Sequence, residues 1–325
     1  MKIGQKILFL IFLTTFILPT PALSQYSIIG ANTGEIRLIP LNPKPNENTS
    51  AIFESYITDL SRAQIKWFLN GKLIKEGGGD VNFDFKNGPV GQKTEVQVIA
   101  LTEEGWPLED KISIYSAEVS LIYEAESSVP PFYKGKAKLP YEGIARVIAV
   151  PNFKTENGEI IPVNNLIFKW YRKNKLEISG TGKNIFTFKS TVPMSRNEIK
   201  VEVGTVDRKY FAQSYIEFLQ FKSVLNLYEN HPEYGILYNK SLNTNINLNK
   251  PEINLIAEPF FFNKVDLPFL SYKWILGNQE LPDNRNSITL SGETDRSGSS
   301  SVSVESRNPA NFYQFANQFS KIKVN

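Results

Sequence analysis

An all-β chain of three sandwich domains in series is the fold class this sequence predicts, and three observations predict it. The stretch Ile65-Lys66-Trp67-Phe68-Leu69-Asn70-Gly71-Lys72 recurs as Phe168–Lys175 and again as Tyr272–Gln279. Its tryptophans, Trp67, Trp170 and Trp274, lie 103 and 104 residues apart, which is the length of one small sandwich. Between them run short segments of alternating polarity separated by turn formers, with no helical period long enough to bury one face.

Each copy of the stretch reads as a strand that carries a large ring and ends in a turn. Asn70-Gly71 is the strongest such signal, because both residues tolerate the positive φ of a tight hairpin. In the first period, strands are expected at Glu35–Leu41, Ala51–Ile57, Gln64–Leu69, Val81–Phe85 and Thr94–Ala100, with a last strand from Lys111 to Tyr123. The run Gly77-Gly78-Gly79-Asp80 reads as a loop or bulge. The second period repeats the order. Gly79 and Gly182 each stand 12 residues past their tryptophan, and Phe83 and Phe85 match Phe186 and Phe188 at offsets of 16 and 18. The third period has lost a residue or two before Ile288 and Leu290. Its Ser291–Ser301 segment reads as a Ser/Gly-rich loop ahead of the strand Val302–Val304, and Phe312–Val324 should close the last sheet. About seven short strands per period describe immunoglobulin-like sandwiches. The expected domains are 35–123, 124–222 and 223–325, after a lead segment 25–34.

The first 24 residues read as an export signal. Lys2 and Lys6 precede the apolar stretch Ile7–Leu18, and Ala22-Leu23-Ser24 places small residues at −3 and −1 of a cut before Gln25. Twelve apolar residues are short for a bilayer span, which leaves a retained anchor as the second reading of this segment; no later stretch approaches 18, so no membrane span is expected after cleavage. Cleavage removes two lysines and no acid, which leaves 34 basic against 33 acidic side chains. Such a balance argues against nucleic acid as a partner. The absence of cysteine excludes disulfides, thiolate metal sites and cysteine nucleophiles, so each domain must rest on its apolar core.

The residues also carry a resemblance. Ser55–Leu60 with Trp67–Lys72, Pro130–Ala137, and Ser271-Tyr272-Lys273-Trp274 resemble the domains of secreted multi-domain Ig-like or PKD-like proteins of small-genome candidate-phylum bacteria. The likeness spans nearly the whole mature chain. It implies a fold and an extracytoplasmic address, and no reaction. The chain departs from the PKD signature, which continues the tryptophan with Asp-Phe-Gly-Asp-Gly.

Among candidate residues, Trp67, Trp170 and Trp274 read as core anchors, since the alternation turns them inward. Lys66, Lys169 and Lys273 then point outward, as solubility residues or as a repeated basic spot. Trp106 lies in an acidic turn with Glu103 and Glu104 and is the candidate partner contact, because loops at sandwich ends commonly carry recognition. The lone His231, read as a loop residue, has neither the companions of a zinc site nor a Gly-x-Ser-x-Gly elbow. Gly180-Thr181-Gly182-Lys183 lacks the first glycine and the helix of a phosphate loop. Asp80, Asp84 and Asp283 show no EF-hand spacing, and Ser320–Lys323 contains Ser-x-x-Lys without a partner motif. No catalytic, cofactor or metal residue is therefore expected. The leading expectation is a secreted, non-enzymatic surface or envelope module that binds surface proteins or glycans. An accessory subunit of a pilus or similar appendage is the second, and a glycan-acting enzyme using two loop carboxylates is the third.

Overall fold

The computed structural model describes residues 34–131, 133–193, 196–292 and 297–324, so the expected signal peptide lies outside the described residues. Domain 1 contains β1 (Gly34–Ile39), β2 (Asn48–Ser55), β3 (Gln64–Leu69), β4 (Lys72–Gly78), β5 (Asn82–Lys86), β6 (Lys93–Leu101) and β7 (Pro107–Tyr115). They form two facing sheets of order β1-β2-β5 and β4-β3-β6-β7. Domain 2 repeats this layout with β8 (Glu118–Ala125), β9 (Ile144–Asn152), β10 (Ile167–Arg172), β11 (Lys175–Thr181), β12 (Ile185–Lys189), β13 (Asn197–Gly204) and β14 (Phe211–Phe218). Its sheets run β12-β9-β8 and β11-β10-β13-β14.

Domain 3 is a variant of the same plan. Its strands are β15 (Val224–His231), β16 (Gly235–Ile236), β17 (Asn245–Leu248), β18 (Glu252–Phe260), β19 (Ser271–Leu276), β20 (Gln279–Glu280), β21 (Ser287–Ser291), β22 (Gly298–Arg307) and β23 (Phe315–Val324). The short β17 crosses to the second sheet and pairs in parallel with β23, giving the order β17-β23-β22-β19-β20 opposite β16-β15-β18-β21. The only helical turns among the described residues are 3-10 segments, Val163–Asn165 and Lys264–Phe269.

Each domain holds its own core around one tryptophan, and all three indoles are fully buried. Burial leaves each indole N–H in need of an acceptor. Trp67 donates to Asp80 O at 2.8 Å, Trp170 to Lys183 O at 2.7 Å, and Trp274 to Arg285 O at 2.8 Å. The acceptor stands 13 residues on in domains 1 and 2 and 11 in domain 3, where the loop is shorter. Trp67 stacks on Phe83 at 5.4 Å and Trp170 on Phe186 at 5.6 Å, so each ring continues into an aromatic column. Beside the first two indoles the chain turns through Gly79 and Gly182, both at φ +69. A Cβ on Gly79 would lie 2.4 Å from Ser61 O, so only glycine fits this turn without a shift.

Several sequence expectations change. The run Lys111–Tyr123 is two strands, since β7 pairs with β6 and β8 pairs with β9. Domain 2 therefore begins at Ala117-Glu118 and not at Glu124, while β1 starts at Gly34 inside the expected lead segment. The second strand stops at Ser55, which frees Tyr56 and Ile57 into a loop. Gly77 and Gly78 belong to edge strand β4, paired with Ile65 and Gln64, where a register shift after Trp67 absorbs the irregularity. Strand β22 begins at Gly298, so part of the expected Ser/Gly loop is paired with β23.

Domains 2 and 3 are joined by strand-like pairing. Ser128 N–H donates to Phe262 O at 2.7 Å, and Phe261 N–H donates back to Ser128 O at 2.8 Å. Next to this joint Tyr228, Phe260 and Phe261 form a small aromatic cluster that Tyr238 completes. Glu258 accepts from the Tyr238 hydroxyl at 3.4 Å, and burial holds its carboxyl above the usual 4.5. A carboxyl raised in the folded state favours folding fully below its unfolded value and loses that contribution as pH rises through the folded value. Glu258→Gln is therefore expected to flatten the loss of domain 3 stability between pH 4.5 and neutrality, read as melting temperatures at pH 4 and pH 7.

Candidate functional site

The outer end of domain 1 is formed by the β2–β3 loop and the β6–β7 turn. Register pairing of Gln64 with Leu101 brings the end of the loop beside the start of the turn. An ion pair between Arg62 and Glu103 at 3.3 Å links them across the tip; both side chains are exposed, so the link contributes little stability. Within the loop, Asp59 accepts from Ser61 N at 2.9 Å and from the Ser61 hydroxyl at 2.8 Å. These bonds, the backbone one first, hold its carboxyl below the ordinary value.

The turn is equally well defined. Thr102 N–H donates to Trp106 O at 3.0 Å, Trp106 N–H returns to the Thr102 hydroxyl at 3.1 Å, and Gly105 takes φ +83 between them. Its backbone therefore presents Trp106 in a set direction. Trp106 is 65% exposed, Tyr56 86% and Ile57 65%, so one tip displays three large apolar side chains beside Asp59, Glu103 and Glu104. Tyr56 and Ile57 were missed as site residues because their alternation continues that of β2.

Turns at the matching place in the other two domains have a different fate. In domain 2, Thr205 N–H donates to Tyr210 O at 3.1 Å and Tyr210 N–H to the Thr205 hydroxyl at 3.1 Å. Thr102 and Thr205 each stand 35 residues past their tryptophan, so the sequence held this signal. Tyr210 is buried and meets Tyr115, at the end of domain 1, at 5.3 Å. In domain 3 the closing pair is Asn308 and Gln314. Gln314 is fully buried and donates to Tyr141 O of domain 2 at 3.0 Å. Both internal turns thus grip the preceding domain, while Trp106 faces outward.

The outward lysines are not a repeated basic spot. Lys66 pairs with Glu76 at 3.1 Å and Lys273 with Glu280 at 2.6 Å. Lys169 instead stands opposite Ser179. The remaining candidates are occupied by structural roles. His231 ends β15 rather than lying in a loop, and its Nδ1 accepts from Glu233 N at 3.2 Å. Lys183 of the glycine-rich loop supplies the acceptor for Trp170. Asp80 pairs with Lys75 at 3.2 Å, and Asp84 accepts from the Ser50 hydroxyl at 2.5 Å. The hydrogen bond from the Arg285 guanidinium, more than any other contact, brings Asp283 down to about 2. The buried Ser320 hydroxyl donates to Leu242 O at 2.6 Å. No group of three or more His, Asp or Glu side chains able to hold a metal ion occurs among the described residues. No helix among them is long and apolar enough to cross a membrane.

No protein-family model matches the chain, and no curated protein matches it. Solved structures do. The three N-terminal domains of the bacteriophage RB49 outer capsid protein Hoc match over 90% of this chain and 99% of theirs, at 11% identity and TM-score 0.28. The central fibronectin-III array of RIM-binding protein matches over 90% and 96%, at 10% identity and TM-score 0.27. Sidekick-1 immunoglobulin domains 1–5 match over 86% and 56%, at 9% identity and TM-score 0.28. The assignment to tandem immunoglobulin-like sandwiches stands on the strand order above, to which matches at these scores add no weight.

Proposed function

We infer that the chain is an exported, non-enzymatic binding module that engages a partner at the surface of its cell through the outer tip of domain 1. The observation that carries this reading is the exposure of Trp106 at a turn position that domains 2 and 3 bury against the domain before them. A tyrosine and a tryptophan on well-bonded loops also suit a contact surface, because large amphipathic rings lose little conformational freedom on docking. The expected leader supports an extracytoplasmic address, and mass spectrometry of the exported chain should find Gln25 at its start.

The test is adsorption of the labelled exported chain to intact cells of its source. Trp106→Ala is expected to cost about 2 kcal/mol of binding, the scale of an interface hot spot. Its effect on stability should stay within about 0.5 kcal/mol, since the ring covers no core. Adsorption that is unchanged in both Trp106→Ala and Tyr56→Ala would remove the tip from the reading.

A further inference from the structure

Domain 2 breaks the charge pattern of its neighbours at one register position. In domain 1 the lysine before the tryptophan faces Glu76, and in domain 3 it meets Glu280. At the position matching Glu76, nine residues past the tryptophan, domain 2 has Ser179. Lys169 is left facing Glu202 on β13, but both oxygens of that carboxylate are taken, one by Lys200 at 2.8 Å and one by the Tyr171 hydroxyl at 2.9 Å. Lys169 and Ser179 line a groove of about 740 Å³ that runs along the outer sheet face to the β13–β14 turn and is bordered by Asn42 of domain 1. At its far side stands Arg208, exposed, held at φ +58 and without an ion pair among the described residues. Val206 and Phe211 supply apolar walls.

We propose that this groove binds a short anionic glycan, with Lys169 and Arg208 each on a different uronate carboxylate and Ser179 and Asn42 on ring hydroxyls. The volume lies in the range of small-ligand sites, about 300–1,000 Å³. Lys169 has only a shared charge, that of Glu202, whose two oxygens are hydrogen-bonded to Lys200 and Tyr171, and Arg208 is in no ion pair among the described residues. An anion would complete both, and a guanidinium fork matches a carboxylate well. Hydroxyl and amide donors beside apolar walls match a sugar ring. The groove crosses the face of the sheet from Ser179 on β11 to Phe211 on β14, over side chains of the paired strands β10 and β13, so along its floor it offers an extended acidic peptide no backbone ladder.

Isothermal titration with trigalacturonate tests the assignment, using the exported chain. Trigalacturonate should bind, and its neutral methyl ester should bind at least tenfold more weakly. Lys169→Ala and Arg208→Ala should each weaken binding about tenfold or more. Ser179→Glu, which restores the glutamate that domain 1 places opposite its lysine, should do the same with both cations still present. Lys66→Ala and Trp106→Ala should change nothing, which separates this groove from the tip. All five positions are on the surface, and circular dichroism would verify their folding. Equal binding of the methyl ester, an indifferent Ser179→Glu, or tetraglutamate binding as tightly as trigalacturonate would each overturn the proposal.

Discussion

Trp170→Ala is expected to unfold domain 2 and to loosen the whole chain. The indole is fully buried, stacks on Phe186 and donates to Lys183 O. Removing it leaves a cavity lined by rigid strands and a carbonyl without its donor, a loss of about 3–5 kcal/mol. That is a large fraction of the stability of a small domain, typically about 5–15 kcal/mol. Domain 2 also supplies one side of both junctions, so its loss removes the contact of Tyr210 with Tyr115 and the pairing of Ser128 with Phe262. Trp67→Ala should unfold only the first domain. Guanidinium titration, with hydrogen exchange resolved by domain, would show the difference. Trp170→Phe is the informative companion, since it keeps most of the apolar volume and loses the donor. A Trp170→Ala chain within about 1 kcal/mol of the parent would contradict the anchoring role of this ring.

Much of this was legible because a buried ring imposes a period. Each tryptophan needs a strand to carry it, a turn after it, an acceptor for its N–H and apolar residues opposite, and those demands recur at fixed offsets. What was not legible depends on partners distant in sequence. Ser116 and Ala117 interrupt the Lys111–Tyr123 run without glycine or proline, and only the pairing of β8 with β9 reveals the break. Ser127 and Ser128 read as ordinary loop residues, yet both are buried in a joint whose other half lies more than 130 residues away. The open tip was half legible, through Trp106 in its acidic turn. Its other half, Tyr56 and Ile57, continued the alternation of a strand that ends one residue earlier.

Ser128→Pro should separate the melting of domains 2 and 3, which is otherwise expected to be one transition. Ser128 makes four bonds into domain 3. Its N–H and C=O pair with Phe262 and Phe261, and its hydroxyl donates to Pro259 O at 2.8 Å and accepts from Phe262 N at 3.1 Å. Glu142 adds another, accepting from Tyr313 N at 2.9 Å, and Tyr133 meets Phe261 edge-on at 6.0 Å. Proline removes the N–H and the hydroxyl together, leaving the donor and acceptor of buried Phe262 unpaired. At about 1–3 kcal/mol for each stranded group, the joint should lose about 3–5 kcal/mol. Ser128→Ala loses only the hydroxyl and should cost about 1–2 kcal/mol. Calorimetry would then resolve two events where the parent chain shows one for this pair. Among the described residues, the junction of domains 1 and 2 has the Tyr115–Tyr210 ring pair, the lysine over it and the close approach of Gly91 to Lys154 and Thr155, but no backbone hydrogen bond between the two sandwiches. It should let domain 1 melt separately in both chains. Independent melting of domains 2 and 3 in the parent chain would mean that the cross-domain strand pairing adds no cooperativity.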